Sequence, residues 1–161
     1  LLFGFYSILS GSIKINSYDI NNINISYLRS NIAYMGQNNK LFDDTILNNI
    51  KYGNNNSVKN ILSFINKYKF FNLDKIPLDT KVGPDGSNMS GGQKQTILLY
   101  RVLLNDKPIV ILDEPTSALD DSNFNQFIKI INDLNKTFVI ITHDKRLMNI
   151  KKFNFYKLKP N

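Results

Sequence analysis

Residues 109–115 read Ile-Val-Ile-Leu-Asp-Glu-Pro, an apolar run that ends abruptly in two adjacent carboxylates. Short β-branched runs of this kind are typical of strands buried in parallel sheets. In such sheets, ligands bind beyond the carboxyl ends of the strands. Asp113 is therefore suited to hold Mg²⁺, and Glu114 is suited to orient and deprotonate an attacking water. An isolated Asp-Glu pair is usually only an acidic turn. Whether this pair belongs to a ligand site therefore depends on the neighbouring elements.

A second β-branched run follows at residues 138–141, and the pattern between the two runs predicts a helix over residues 123–134. Strand–helix–strand units cross over right-handedly, so the two strands are parallel and their carboxyl ends meet at one edge. Thr142 and His143 come directly after the second strand. The sequence therefore places this pair at the same edge as the two carboxylates.

Further elements are predicted from apolar spacing and turn residues. They are strands at 12–15 and 32–35, a loop at 21–24, an amphipathic helix from Val58 capped by Ser57, and a helix from near Ser90 to about Leu104. The asparagine runs fall between periodic apolar segments, which indicates loops in a compositionally biased but folded protein.

Met-Ser-Gly-Gly-Gln at residues 89–93 stands at the start of the second of these helices. The backbone N–H groups and the dipole at a helix start favour an anion. Gly91 and Gly92 let the backbone approach a phosphate without a side-chain clash, and Ser90 adds a hydroxyl donor. Ser-Gly-Gly by itself is a common turn. The acidic strand end about twenty residues later strengthens the phosphate interpretation.

These motifs together resemble the ATP-binding cassette (ABC) ATPases. Residues 89–93 resemble the signature loop of that family, Leu-Ser-Gly-Gly-Gln, with Met in place of Leu. Residues 109–114 resemble its Walker B strand and residues 117–120 its D-loop. Residues 34–37 resemble its Q-loop, and residues 141–144 its switch-histidine segment. Because all of these motifs occur in the family's order, the resemblance is specific and covers nearly the whole chain.

The resemblance implies an α/β fold: a partial P-loop NTPase (RecA-like) core with a mostly parallel sheet, plus an inserted α-helical subdomain that carries the signature loop. Residues 1–37 and 105–161 would form the ATPase core, and residues 38–104 the helical subdomain. Residues 38–50 and 79–86 resemble exporter segments. Departures from that pattern are Asp44, where a small residue is usual, and Pro84, which replaces an acidic residue.

The resemblance also implies a head-to-tail dimer in which ATP is sandwiched between the core of one subunit and the signature loop of the other. Gln37 would sense Mg²⁺ and the attacking water, and Asp113 would hold the Mg²⁺. Glu114 would act as the general base, and His143 would contact the γ-phosphate. Asp120 would connect the two sites across the dimer. The residues that would complete the partner's ATP site are Ser90, Gly91, Gly92 and Gln93.

The phosphate-binding loop of the family, Gly-x-x-x-x-Gly-Lys-Ser/Thr, has no match among the 161 residues. Residues 1–13 resemble the segment that follows this loop. We therefore expect an N-terminally truncated sequence whose phosphate loop lies upstream of Leu1. We expect the 161 residues alone to bind ATP poorly and to fold poorly, because the missing segment would carry a central strand and a helix.

The composition limits the kinds of partner and metal site that can be expected. The formal charge is +7, but the Lys and Arg residues are scattered without basic blocks, so no nucleic acid is expected as a partner. Cysteine is absent and His143 is the only histidine, which excludes thiolate and multi-histidine metal sites. No apolar run has the roughly 18 residues needed to span a bilayer. The expected partners are a second ABC ATPase domain and transmembrane domains, with this domain on the cytosolic side of a membrane.

Three functions fit the resemblance: a transport ATPase, a soluble ABC ATPase that acts on DNA or ribosomes, and a degenerate regulatory cassette. DNA-repair members carry a long coiled coil between the Q-loop and the signature, whereas only about fifty residues without sustained heptads separate these motifs here. The polar residues at Gln37, Asp113, Glu114 and His143 are intact, which disfavours a degenerate cassette. We therefore expect the full-length protein to hydrolyse ATP and to drive transmembrane transport.

Overall fold

The structure, a computed structural model, describes residues 1–157. The strands are β1 (Lys14–Ile15), β2 (Tyr18–Asp19), β3 (Ile32–Met35), β4 (Ile109–Asp113) and β5 (Thr137–Ile141). The α-helices are α1 (Ile25–Ser30), α2 (Ile46–Lys51), α3 (Val58–Tyr68), α4 (Gly91–Leu103), α5 (Asp121–Asp133) and α6 (Lys145–Met148). The 3₁₀ helices are Ile20–Asn22, Phe70–Lys75 and Pro84–Gly86. Within this part of the chain, no helix is both long and apolar enough to cross a bilayer.

The strand β4 is the centre of a parallel sheet with the order β3-β4-β5. Its Ile111 pairs with Tyr34 of β3 on one side and with Val139 of β5 on the other. Val110 and Leu112 pack in a large apolar cluster with the helices, whereas Ile111 packs in a smaller one against α1. The centre of the sheet is therefore buried on both faces, and the predicted α/β fold with a mostly parallel sheet is confirmed.

Several predicted elements are confirmed. The strand β3 has the predicted bounds, and α3 begins after Ser57, whose hydroxyl accepts the Asn60 N–H at 3.2 Å as an N-cap. The first predicted strand is shorter than expected, because only Lys14–Ile15 pairs with β2. The loop predicted at residues 21–24 is partly wrong. Its first residues belong to the 3₁₀ helix Ile20–Asn22, which the Asp19 carboxylate caps at 2.9 Å.

Asn49 of α2 is fully buried and holds the segment before α2 against α4. Its Nδ2 donates to the carbonyls of Phe42 and Thr45 at 3.0 and 2.9 Å. Its Oδ1 accepts the Phe42 N–H at 2.9 Å and the Arg101 Nη2 at 2.7 Å. Because every donor and acceptor of this amide is used, the buried polar group stabilises the packing of α2 and the segment before it against α4.

We predict that Asn49→Ala lowers the free energy of unfolding by about 2–4 kcal/mol, since it leaves buried partners without hydrogen bonds. The matched control is Asn48→Ala, one residue earlier on the exposed side of α2, where the amide makes a single side-chain bond to Asp44 at 2.9 Å. The control should change stability by less than about 1 kcal/mol. Urea unfolding followed by circular dichroism measures both, and equal losses would contradict the role given to Asn49.

Candidate functional site

Three strand ends meet at the carboxyl edge of the sheet. Gln37 lies two residues after β3, Glu114 directly after β4, and Thr142 directly after β5. The Glu114 N–H donates to the Ile141 carbonyl at 2.8 Å, so the β4–β5 pairing continues to the position of this carboxylate. There the backbone turns sharply, because Glu114 has a left-handed φ of 51°. Non-glycine residues rarely adopt that conformation, and when they do it is often at functional sites.

The Glu114 carboxylate is held by the segment that follows β5. It accepts the Thr142 hydroxyl at 3.3 Å and the His143 backbone N–H at 3.1 Å. The Nδ1 of His143 lies 2.8 Å from Glu114 Oε1. The Glu114 side chain is 15% exposed and that of His143 is 85% exposed. Because a carboxylate only accepts hydrogen bonds, Nδ1 must carry the proton, and Nε2 is left for another group.

Asp113 and Gln37 supply oxygen donors at the same edge. Asp113 ends β4 and is half-buried, whereas Gln37 is exposed. No group of three or more His, Cys, Asp or Glu side chains within residues 1–157 is arranged to hold a metal ion. Mg²⁺ is usually held by one or two carboxylates together with waters and substrate phosphates, rather than by a cage of side chains. The donors present fit that kind of magnesium site.

The signature loop begins α4 with a complete capping box. The Ser90 Oγ accepts the Gln93 N–H at 3.2 Å, and the Gln93 Oε1 accepts the Ser90 N–H at 2.9 Å. These two bonds satisfy the backbone N–H groups of Ser90 and Gln93 and fix the first turn of the helix. The N–H groups of Gly91 and Gly92 belong to that first turn and have no partner within the helix, which makes the turn a possible anion-binding surface.

The two signature glycines lie in different surroundings. A Cβ atom on Gly92 would be 2.2 Å from Cε1 of Phe71, so packing inside the protein excludes a side chain there. A Cβ atom on Gly91 would meet no described atom within 4 Å. Packing among the described residues therefore gives no reason for glycine at position 91. Close approach of a group from outside these residues would explain why position 91 is a glycine.

Two contacts that the sequence pattern did not indicate connect the site to its surroundings. The first is Gln95 of α4, whose Nε2 donates to the Pro115 carbonyl at 2.8 Å. It ties the signature helix to the turn that follows Glu114. Since the two residues are 20 positions apart and belong to different elements, no local pattern could have predicted the bond.

The second contact is made by Arg146 of α6, which joins the N-cap of its own helix to the segment from the D-loop to the start of α5. Its guanidinium donates to Asp144 Oδ2 at 2.8 Å, to Asp121 Oδ1 at 3.0 Å and to the Leu119 carbonyl at 3.1 Å. The hydrogen bonds from Arg146 lower the pKa of the Asp144 carboxyl to about 2. Arg146 thereby fastens the D-loop to the segment that carries His143.

The predicted site residues form separate groups. Those at the carboxyl edge are Gln37, Asp113, Glu114 and His143. Within residues 1–157, the side-chain bonds of Ser90 and Gln93 are made to each other and not to the carboxyl edge. Asp120 caps α5, where its Oδ1 accepts the Asn123 N–H at 2.8 Å. The structure therefore shows no hydrogen bond from the described side chains of Ser90 and Gln93 to the carboxyl edge.

Comparison with known proteins agrees with these features. Residues 1–117 match the family model described as ABC transporter. The ATP-dependent lipid A-core flippase of Pectobacterium atrosepticum is 38% identical over 159 residues, which cover 94% of this chain and 27% of the flippase. The protein of the same name from Idiomarina loihiensis is 41% identical over 150 residues, which cover 89% of this chain and 26% of that protein.

A solved structure of a bacterial Atm1-family ABC exporter with ATP bound has a TM-score of 0.80 and 30% sequence identity to this chain. The match covers 91% of this chain and 27% of the exporter chain. The chain thus spans about a quarter of the length of the relatives that it matches. From the family match, the sequence identities and the shared fold, the chain belongs to the ABC transporter family and is an exporter-like ATPase domain.

Proposed function

We propose that this chain is part of the nucleotide-binding domain of an ABC exporter, which hydrolyses ATP in a head-to-tail dimer to drive transport across a membrane. The observation that carries the proposal is the juxtaposition of Glu114 with Thr142 and His143 beyond the carboxyl ends of β4 and β5. The relatives named as flippases and as an exporter favour transport over a soluble or purely regulatory role.

ATP with Mg²⁺ is the ligand that this edge would take. Asp113 would hold the metal ion together with Gln37 and the phosphate oxygens, and the bound ion would neutralise charge on the phosphates. Asp113 is suited to this because it ends the central strand of the sheet and is paired with Ile141 of β5, while the preceding Leu112 is paired on both sides. Gln37 is exposed after the edge strand β3, where it can follow movement of a bound ligand.

Glu114 is the proposed general base, and its neighbours fix where it acts. Thr142 donates to one oxygen of its carboxylate and His143 to the other. These hydrogen bonds fix the orientation of both oxygens and leave the group a carboxylate. A water that donates to the carboxylate could then lose its proton to Glu114 as it attacks. His143 Nε2 would contact the γ-phosphate, because Nδ1 is engaged by Glu114; it donates to a phosphate oxygen only as the imidazolium, in which both ring nitrogens carry a proton.

The signature loop would serve another cassette and not its own carboxyl edge. Gly91 faces open space, and the helix start presents N–H donors together with the Ser90 hydroxyl. Ser90, Gly91, Gly92 and Gln93 would therefore complete the ATP site of a second ABC ATPase domain, with Asp120 at the contact between subunits. Transmembrane domains would be the remaining partners, and the ATPase domain would lie on the cytosolic face of the membrane.

We predict that Glu114→Gln in the full-length protein lowers ATP turnover by about 10²- to 10⁴-fold, the usual contribution of a general base. ATP binding should persist, because the amide keeps the size of the side chain. The control is Asp106→Asn, which removes an equal charge from an exposed residue before β4, at the opposite end of the strand. Phosphate release and nucleotide binding report the two effects, and undiminished turnover in Glu114→Gln would remove Glu114 from this role.

We further predict that Gly91→Ala lowers ATP turnover by roughly tenfold or more, equivalent to at least about 1.4 kcal/mol, because the added methyl group would meet the bound nucleotide. It should not lower the melting temperature, since the methyl group has open space and alanine favours helix. Gly92→Ala, one residue later, should lower the melting temperature because its Cβ would clash with Phe71. Full turnover in Gly91→Ala would count against a ligand at this position.

A further inference from the structure

Asn123, in the first turn of α5, makes side-chain hydrogen bonds in two directions. Its Nδ2 donates to Asp120 Oδ1 at 2.9 Å, and its Oδ1 accepts the backbone N–H of Phe71 at 2.9 Å. Asp120 belongs to the D-loop. Phe71 lies in the 3₁₀ helix Phe70–Lys75, 52 positions before Asn123. The half-buried amide therefore bridges the D-loop to a segment that is distant in sequence.

Phe71 in turn packs directly on the signature loop. Its ring occupies the space in which Gly92 would carry a Cβ, at 2.2 to 2.7 Å from three ring atoms. The ring also packs edge-on against Phe70, with centroids 5.2 Å apart. The Phe70 N–H donates to the buried Tyr100 hydroxyl of α4 at 3.3 Å. The position of this aromatic pair is thus linked to both the first and the last turn of α4.

The backbone around Phe71 is held in an unfavourable conformation. Lys69, Phe71 and Asn72 have φ values of 48°, 50° and 53°, in the left-handed region that side chains disfavour. Such a conformation persists only where surrounding contacts fix it. The hydrogen bond from the Phe71 N–H to Asn123 is the contact at the centre of this segment. It is the side-chain contact that holds the Phe71 backbone N–H in place.

We propose that Asn123 is a positioning residue which, through Phe71, fixes Gly92 of the signature loop relative to Asp120 of the D-loop. The inference rests on the proposed function, in which the signature loop completes the ATP site of a second cassette. A displacement of the D-loop is then transmitted to the signature loop of the same subunit through Asn123 and the Phe71 ring. Asn123 acts through its neighbours and does not touch the nucleotide.

The test compares Asn123→Ala and Asn123→Asp in the full-length protein. The alanine variant loses both side-chain bonds, whereas aspartate keeps an acceptor for the Phe71 N–H but loses the Nδ2 donor and places a second carboxylate beside Asp120. The matched control is Asn105→Ala at the other end of α4, which removes bonds to the Gly53 carbonyl at 2.6 Å and from the Lys107 N–H at 3.2 Å. The readouts are KM and kcat for ATP, and hydrogen exchange of peptides that contain Phe71 or Gly92.

We expect Asn123→Ala, which removes two hydrogen bonds, to raise KM for ATP by about three- to tenfold, with kcat within about twofold. Exchange of both peptides should become faster. Asn105→Ala should match the wild type in KM and in exchange. Asn123→Asp should raise KM, because the bond to Asp120 is lost, but should leave exchange of the two peptides unchanged, because the bond to Phe71 is kept. If Asn123→Ala does not fold, Phe71→Ala removes the ring by a different route and should raise KM in the same way.

Three results would overturn the proposal: unchanged KM and exchange in Asn123→Ala, unchanged KM in Asn123→Asp, or exchange of the Phe71 and Gly92 peptides in Asn123→Asp as fast as in the alanine variant. If the wild-type protein hydrolyses no ATP, the proposed function fails, and the exchange measurement still decides the positioning role. In that case faster exchange confined to the Phe71 and Gly92 peptides supports the bridge. Exchange equal to that of Asn105→Ala excludes it.

Discussion

The parallel pairing of β4 between β3 and β5 is the constraint on which the site depends. Parallel strands bring their carboxyl ends to one edge, and polar residues that follow each strand meet there. The Glu114 N–H extends the pairing by one further bond to Ile141, so the carboxylate starts from a fixed position. The left-handed backbone at Glu114 then lets the chain turn while the carboxylate stays beside Thr142 and His143. Burial of β4 on both faces supplies the stability that holds this strained residue.

Contacts outside the carboxyl edge join this constraint to the rest of the domain. Gln95 connects α4 to the turn after Glu114, and Arg146 connects the D-loop to the His143 segment. Asn123 extends the connection to Phe71 and hence to the signature loop. Each of these side chains bonds backbone or capping groups of a different element, so movement in one segment is resisted by the others. Side-chain hydrogen bonds and packing contacts therefore connect the surface that would bind ATP with the surface that would serve a partner.

Local patterns were sufficient for the three strands of the parallel sheet and for the polar residues that follow them, but not for β2. The β-branched run that ends at Asp113 and the cap at Ser57 depend on neighbours in sequence, and both were predicted correctly. Arg146, Gln95 and Asn123 could not be identified in this way, because the partners that join them to other segments lie 20 or more positions away. The left-handed backbone at Phe71 likewise has no local signal, since the conformation is imposed by tertiary contacts on a residue that disfavours it.

The most direct test of the central claim is a structure of the full-length protein trapped with Mg²⁺, ADP and vanadate, which imitates the phosphoryl group in transfer. The measurement is the position of the vanadium atom relative to the described residues. We expect it at the carboxyl edge, within reach of Glu114 and His143, with Ser90 and Gly91 of a second cassette on its other side. Vanadate bound away from Glu114 and His143, or enclosed by the signature loop of the same chain, would contradict the assignment of the two surfaces.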